Sequence, residues 1–193
     1  LLPESGYIDL NDAACILFTS GTSGTPKAAV LTWSNFWHSA MASAYRIGTL
    51  PNDRWLCVLP LFHVGGLSIV LRSCLYGTTV DLRRKFDAAE IHRALVHEDV
   101  SLISLVPTLL HRLLDVRESQ PATYSQLRMV LLGGAAATVG LMERARTANI
   151  PIATTYGLTE ATSQVATALP SDALHKPDSV GKALPFTDVR VVD

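Results

Sequence analysis

The stretch Ala14-Cys15-Ile16-Leu17-Phe18-Thr19-Ser20-Gly21-Thr22-Ser23-Gly24-Thr25-Pro26-Lys27-Ala28-Ala29-Val30-Leu31 reads as strand, loop, strand. Its flanks are short apolar runs bounded by turn-forming residues. Of the nine residues from Thr19 to Lys27, five are hydroxylic, two are glycine and one is lysine. Glycines let backbone N–H groups approach anionic oxygens, hydroxyls donate further hydrogen bonds, and the lysine adds a point charge, so the composition suits a phosphate cradle. An ordinary Ser/Gly surface turn has the same composition. The spacing does not fit a Walker loop, which needs four residues between its glycines and then Lys-Ser/Thr opening a helix. Here Lys27 is followed by the strand-like Ala28-Ala29-Val30-Leu31.

Outward from this loop, short apolar runs alternate with stretches of helical period, the mark of βα units and a largely parallel sheet. Strands are expected at Ala14 to Thr19, Ala28 to Leu31, Trp55 to Leu59, Thr78 to Leu82, Val100 to Ser104, Met129 to Leu132, Ile152 to Thr155 and Val189 to Val192. Helices are expected at Ser34 to Arg46, Gly66 to Leu75, Ala88 to His97, Pro107 to Arg117 and Val139 to Thr147. In the fourth helix proline suits the first turn, and Leu109, Leu110, Leu113 and Leu114 form one apolar stripe opposite His111, Arg112 and Asp115. The fold class is α/β, with layered, mostly parallel sheets and flanking helices. Polar and turn-forming residues gather at Arg117 to Ser125 and Pro170 to Ser179, the expected flexible segments.

A chain of 193 residues, 48% hydrophobic and 17% charged, can bury a substantial core. Sixteen basic and 17 acidic residues give a net charge of -1, too weak a field to draw nucleic acid or an anionic membrane. Cys15, Cys57 and Cys74 sit in apolar runs without C-x-x-C spacing, so buried, reduced thiols are expected rather than a disulfide or metal framework. Neither a leader-like segment nor an apolar run of about 18 residues is present, which makes a cytosolic protein the expectation. His38, His92, His97, His111 and His175 have no metal-ligand spacing and read as structural or surface residues.

Three further segments follow the loop: Leu59-Pro60-Leu61-Phe62-His63-Val64-Gly65-Gly66, Leu131-Leu132-Gly133-Gly134-Ala135 and Thr155-Tyr156-Gly157-Leu158-Thr159-Glu160. Tyr156 offers a flat face to a purine, Thr159 a hydroxyl to a phosphate oxygen, and Glu160 a hard oxygen ligand of the kind Mg²⁺ prefers. Taken singly, Tyr156 reads equally as packing, Glu160 as a solvated acid and His63 as a satisfied histidine among apolar neighbours. Their order along the chain is what gives them meaning. Together with Thr-Ser-Gly-Thr-Ser-Gly-Thr-Pro-Lys they resemble the signatures of the adenylate-forming superfamily, which includes acyl-CoA and aryl-CoA ligases.

That resemblance implies roles. Thr19, Ser20, Gly21, Thr22, Ser23, Gly24, Thr25 and Lys27 would cradle the phosphates of ATP. Gly133, Gly134 and Ala135 would lie along adenine and the acyl group. Thr155, Tyr156, Gly157 and Thr159 would complete the nucleotide site, with Glu160 holding Mg²⁺. His63, Gly65 and Gly134 would border the acyl pocket, with Ser163 and Gln164 as hydrogen-bonding residues at the same end. Lys27, Thr159, Glu160 and His63 form the expected catalytic group, acting by electrostatic stabilisation and alignment rather than as nucleophiles.

Within the superfamily, Leu59 to Ile69, Ser104 to Thr108, Leu132 to Ala136 and Tyr156 to Gln164 resemble the o-succinylbenzoate-CoA ligases of menaquinone biosynthesis. Such an acid carries two carboxylates, and Arg72 and Arg112 are the candidate cations for the unreacted one. The resemblance implies ATP, Mg²⁺ and coenzyme A as reaction partners, acyl-AMP as the intermediate, and residues 1–193 as the central portion of the adenylating domain. The early part of the large domain, the ribose-binding segment and the small C-terminal domain with its adenylation lysine would lie outside this chain, leaving it inactive alone. Two alternatives stay open: a ligase of the superfamily for a fatty or other aryl acid, and a non-catalytic nucleotide-binding module, against which the intact Lys27 and Glu160 argue.

Overall fold

The computed structural model describes residues 7–19, 26–190 and 192. The loop residues Ser20, Gly21, Thr22, Ser23, Gly24 and Thr25 lie outside the described residues. The strands flanking them, β1 (Ala13–Thr19) and β2 (Lys27–Thr32), pair antiparallel with Thr19 opposite Lys27. Leu17 and Leu31 turn one face of this hairpin onto Phe36 of α1 (Trp33–Ile47) and onto Val64, Leu67 and Leu71 of α2 (Val64–Tyr76).

The main sheet follows from alternation of apolar runs and helices. Its elements are β3 (Arg54–Cys57), α2, β4 (Thr79–Leu82), α3 (Ala88–His97), β5 (Leu102–Leu105), α4 (Pro107–Ser119), β6 (Met129–Leu132), α5 (Val139–Thr147) and β7 (Ile152–Leu158). A 3-10 turn (Thr159–Ala161), β8 (Ser163–Ala168), α6 (Pro170–His175) and β9 (Lys182–Ala183) complete the described chain. The strand order is β4-β3-β5-β6-β7-β8-β9, parallel from β4 through β7 and antiparallel at β8 and β9.

All four residues of β5 and of β6 are buried, as a parallel strand covered on both faces requires. Their period of two divides the core. Leu56, Ile103, Leu105, Val130, Leu132 and Ile152 face the layer of α3, α4 and α5, where Leu110, Leu113 and Leu114 are fully buried. Trp55, Cys57, Leu102, Met129, Leu131 and Ala153 face the opposite layer, against Ile47 of α1 and Ile69 of α2.

Several expectations need correction. No strand forms among residues 189, 190 and 192, and Pro170 to Ser179 contains the helix α6, in which proline occupies the first turn and Ala173 is buried. The fifth strand begins at Leu102 rather than Val100, because residue pairing with β3 and β6 starts at Leu102, opposite Trp55 and Met129. All three cysteines are free thiols, but only Cys57 is buried; Cys15 is half-buried and Cys74 exposed on α2. No helix among the described residues is long and apolar enough to cross a membrane.

The amino ends of the strands converge on Asp53. Arg128 donates Nε to Asp53 Oδ1 at 2.8 Å and Nη2 to Oδ2 at 2.6 Å, and also bonds the carbonyls of Ile47 and Gly48 at the end of α1. Ser101 Oγ and the Leu50 N–H each donate to the same carboxylate at 2.8 Å. Burial alone would push the Asp53 carboxyl up, but hydrogen bonds from Arg128, Leu50 and Ser101, with the Arg128 charge, hold it below the usual carboxylate range. Its contribution is therefore complete above about pH 4 and lost as pH falls through the lowered folded value. Arg128→Ala should cost about 3 kcal/mol in urea unfolding at pH 7, as for other buried pairs that lose one partner. The variant should also lose less stability than the wild type as the pH falls below about 4, because Asp53 no longer has the donors that lower its folded value.

Candidate active site

The connections after β3 and β5 leave the sheet in opposite directions: α2 leads outward to the edge strand β4 on one face, and α4 leads inward to β6 on the other. Open α/β sheets bind ligands where the connections diverge in this way, at the carboxyl ends of the strands. A cavity of about 630 Å³ opens at this position. Leu59, Pro60, Val64, Ile69, Leu105, Val106, Leu109, Leu131 and Leu158 make most of its wall apolar. His63, Arg72, Ser104, Thr155, Thr159, Ser163 and Gln164 add the polar groups.

Two helices start at this cavity. His63 and Val106 occupy the positions before α2 and α4, and neither supplies a capping side chain. By contrast Thr32, Asp87 and Thr138 cap α1, α3 and α5 with their own oxygens. A capping oxygen is worth about 1 kcal/mol, so its omission leaves N–H groups free for other acceptors. The short α6 also lacks a cap.

Arg72 carries the site's electrostatics. The residue is only 3% exposed and lines the cavity, with no carboxylate within ion-pair distance among the described residues. Nη2 donates to Ser39 Oγ at 2.9 Å, while Nε has no partner. Burial brings its pKa down to about 10, so it remains cationic at neutral pH. A buried unpaired charge is costly, and an anion entering the cavity would relieve that cost.

The β7-β8 hairpin builds the other wall. Its register shifts between Tyr156 and Gly157, where the strands approach so closely that a Cβ on Gly157 would collide with the Ser163 carbonyl. Thr162 and Ser163 then take left-handed backbone with φ of 55° and 92°. For non-glycine residues such a conformation costs about 1–3 kcal/mol each and is held only by its surroundings. Thr155 and Gln164 both bond the Thr167 hydroxyl, at 2.9 and 3.0 Å. Gln164 Oε1 is buried without a partner. Gly134, at φ 81°, has the backbone freedom to turn the chain at the end of β6 beside Val106.

The structure brings His63, Gly65, Arg72, Gly133, Gly134, Thr155, Gly157, Thr159, Ser163 and Gln164 to one cavity. The exposed ring of His63 lies 4.5 Å from that of Phe62. Tyr156 is 52% exposed. Glu160 lies on an adjoining cleft with Asn35, His38 and Ser39, and Gln164 separates the two spaces. Lys27 is exposed at the start of β2, which runs beside the Thr159–Ala161 turn.

Two expected site residues fall elsewhere. Arg112 lies on the outer face of α4, its guanidinium 5.1 Å from the centre of the Phe86 ring, because the Leu110, Leu113 and Leu114 stripe turns the opposite face inward. Ala135 is exposed and is not part of the cavity wall. Ser104, unassigned from sequence, lines the cavity and accepts from Trp55 Nε1 at 3.2 Å. A lone serine in an otherwise apolar buried strand was the available signal.

The AMP-binding enzyme family profile matches residues 3–193. A 2-succinylbenzoate--CoA ligase from Listeria monocytogenes serotype 4b (strain F2365) is 42% identical over 185 residues, covering 96% of this chain and 39% of the relative. The chain thus spans about two fifths of the length of the curated relatives it matches. The o-succinylbenzoate CoA synthetase of Bacillus subtilis in complex with ATP and magnesium ion superposes with a TM-score of 0.86 at 37% identity, covering 92% of this chain and 37% of that one. The same synthetase with its acyl-adenylate intermediate OSB-AMP gives a TM-score of 0.87 at 36% identity, covering 93% and 37%.

Gly157→Ala should destabilise the fold by about 1–3 kcal/mol in urea unfolding, because the added methyl must move the Ser163 backbone. Gly140→Ala on α5, which meets open space, should be neutral or stabilising by up to about 1 kcal/mol in the same measurement.

Proposed function

Because this chain belongs to the AMP-binding enzyme family, we propose that it forms the central portion of the adenylating domain of an acid-CoA ligase, and that the acid is o-succinylbenzoate. The observation that carries the choice of acid is Arg72, a buried cation without a carboxylate partner on the wall of an otherwise apolar cavity. An aromatic ring fits the apolar wall, and a second carboxylate fits Arg72. A fatty acid would bury its tail against that charge and leave it unpaired.

In the proposed reaction an oxygen of the other carboxylate attacks the α-phosphorus of ATP, forming a P–O bond to the acyl group as the bond to pyrophosphate breaks. The thiol of CoA then attacks the acyl carbon and AMP leaves with the C–O electron pair. Negative charge gathers on the phosphoryl oxygens in the first step. Lys27, Thr159 and the backbone donors near them would stabilise it, while Tyr156 would position the base by stacking. His63, at the mouth of the acyl cavity, would orient the reacting carboxylate.

Glu160 fits a magnesium ligand, since its carboxylate is exposed on the cleft and makes no ion pair among the described residues. No group of three His, Cys, Asp or Glu side chains able to hold a metal occurs among those residues, which suits an ion held by one carboxylate together with substrate phosphates. Glu160 would hold the magnesium ion, which would supply charge neutralisation to the phosphate oxygens. Cytoplasmic action fits the ATP and CoA requirement and the three free cysteines.

ATP–pyrophosphate exchange by the full-length protein should depend on o-succinylbenzoate and be weak with benzoate, a medium-chain fatty acid or no acid. Exchange driven by one of the other acids would keep the adenylation chemistry and discard this substrate. Lys27→Ala should slow adenylation about 10²-fold, the usual loss of one electrostatic donor. Glu160→Gln should raise the magnesium concentration needed for half-maximal exchange, and an unaltered requirement would remove Glu160 from the metal site.

A further inference from the structure

Behind Arg72 lies Ser39, a half-buried residue on α1 that is outside the acyl cavity and lines the adjoining cleft with Glu160 and Thr162. It makes two hydrogen bonds. Arg72 Nη2 donates to Ser39 Oγ at 2.9 Å, and Ser39 Oγ donates to the Thr162 carbonyl at 2.7 Å. The polarity of this relay is fixed by chemistry: a guanidinium only donates, a carbonyl only accepts, and a single hydroxyl between them must do both. No other side chain can replace it unless it also joins a donor to an acceptor at that distance.

Both ends of the relay need support. Arg72 is buried, has no carboxylate partner and keeps one unpartnered N–H, so Ser39 is the hydrogen bond that sets how its guanidinium faces the cavity. Thr162 is 3% exposed and holds left-handed backbone directly after the turn bearing Thr159 and Glu160. Through the Ser39 hydroxyl, α1 therefore ties the cation on α2 to the end of that turn.

We propose that Ser39 is a positioning residue for substrate selection: by accepting from Arg72 and donating to the Thr162 carbonyl, it holds the guanidinium where a carboxylate distal to the reacting one can pair with it. This rests on the reading of Arg72 as the anchor for that distal carboxylate. On this reading the hydroxyl acts through Arg72, so its removal should act on recognition of the distal charge rather than on the phosphate chemistry.

The test compares two acids in pyrophosphate exchange by the full-length protein: o-succinylbenzoate, and its analogue in which the carboxylate that does not attack ATP is an uncharged amide. The wild type should prefer the diacid. Ser39→Ala should lower the ratio of the two kcat/KM values about tenfold, through a higher KM for the diacid with KM for ATP unchanged, the size expected for one charged hydrogen-bond geometry. Ser39→Thr, which keeps the hydroxyl, should restore the ratio. In an Arg72→Ala background Ser39→Ala should change the ratio no further, because the two residues act as one unit. A Ser39→Ala variant that loses activity equally toward both acids, or keeps the ratio while Arg72→Ala destroys it, would overturn the role of Ser39 and leave the anchor standing. An Arg72→Ala variant that keeps the wild-type ratio would overturn the anchor and the relay together.

Discussion

The buried carboxylate of Asp53 gathers the amino end of the sheet. With Arg128 and Ser101 it joins the starts of β3, β5 and β6 to the end of α1, using both oxygens and a backbone N–H as well. A charge so placed is tolerable because four donors are aimed at it: the Leu50 N–H, Ser101 Oγ, and Nε and Nη2 of Arg128. The clamp closes one end of the sheet with charge-assisted bonds, and the opposite end is left with divergent loops and two uncapped helix starts. The cavity is the consequence of that division: it lies where α2 and α4 leave the sheet in opposite directions, and most of its wall is apolar.

Within the cavity the polar groups are few and unequal. Among the described residues Arg72 is the only arginine or lysine on its wall, and burial has removed most of the water that would otherwise satisfy it. The antiparallel β7-β8 hairpin, with its glycine bulge and left-handed turn, brings Thr155, Thr159, Ser163 and Gln164 to the facing wall. The adjoining cleft keeps Glu160 apart from Arg72, so a carboxylate with free valences and a cation with free donors are available to different parts of a ligand. A metal-bridged phosphate and an unreacted carboxylate are groups of the matching charge.

Local chemistry made several elements legible. β6, α3 and α5 have the limits expected from their apolar periods and caps, because those signals are contained within about ten residues. β8 was not legible. Ser-Gln-Val-Ala-Thr-Ala has no alternating face, since both its sides are covered, and it becomes a strand by pairing with β7. Leu102 rather than Val100 opens β5 for a similar reason: its pairing with Trp55 of β3 and Met129 of β6 begins there, and those partners are distant along the chain.

By itself the sequence determined the order of βα units, the candidate nucleotide loop and the segments that meet at the carboxyl end, since these depend on short-range patterns and on motif order. Only the tertiary structure separates Arg72, on the cavity wall, from Arg112, on the outer face of α4. Both are arginines on amphipathic helices, and no local pattern separates them. The difference arises from packing: the leucine stripe of α4 turns Arg112 outward over Phe86, whereas α2 is covered by the sheet, α1 and the β1-β2 hairpin, so Arg72 is enclosed. The partner that orients it, Ser39, is 33 residues away in sequence and reaches it only because α1 and α2 pack together.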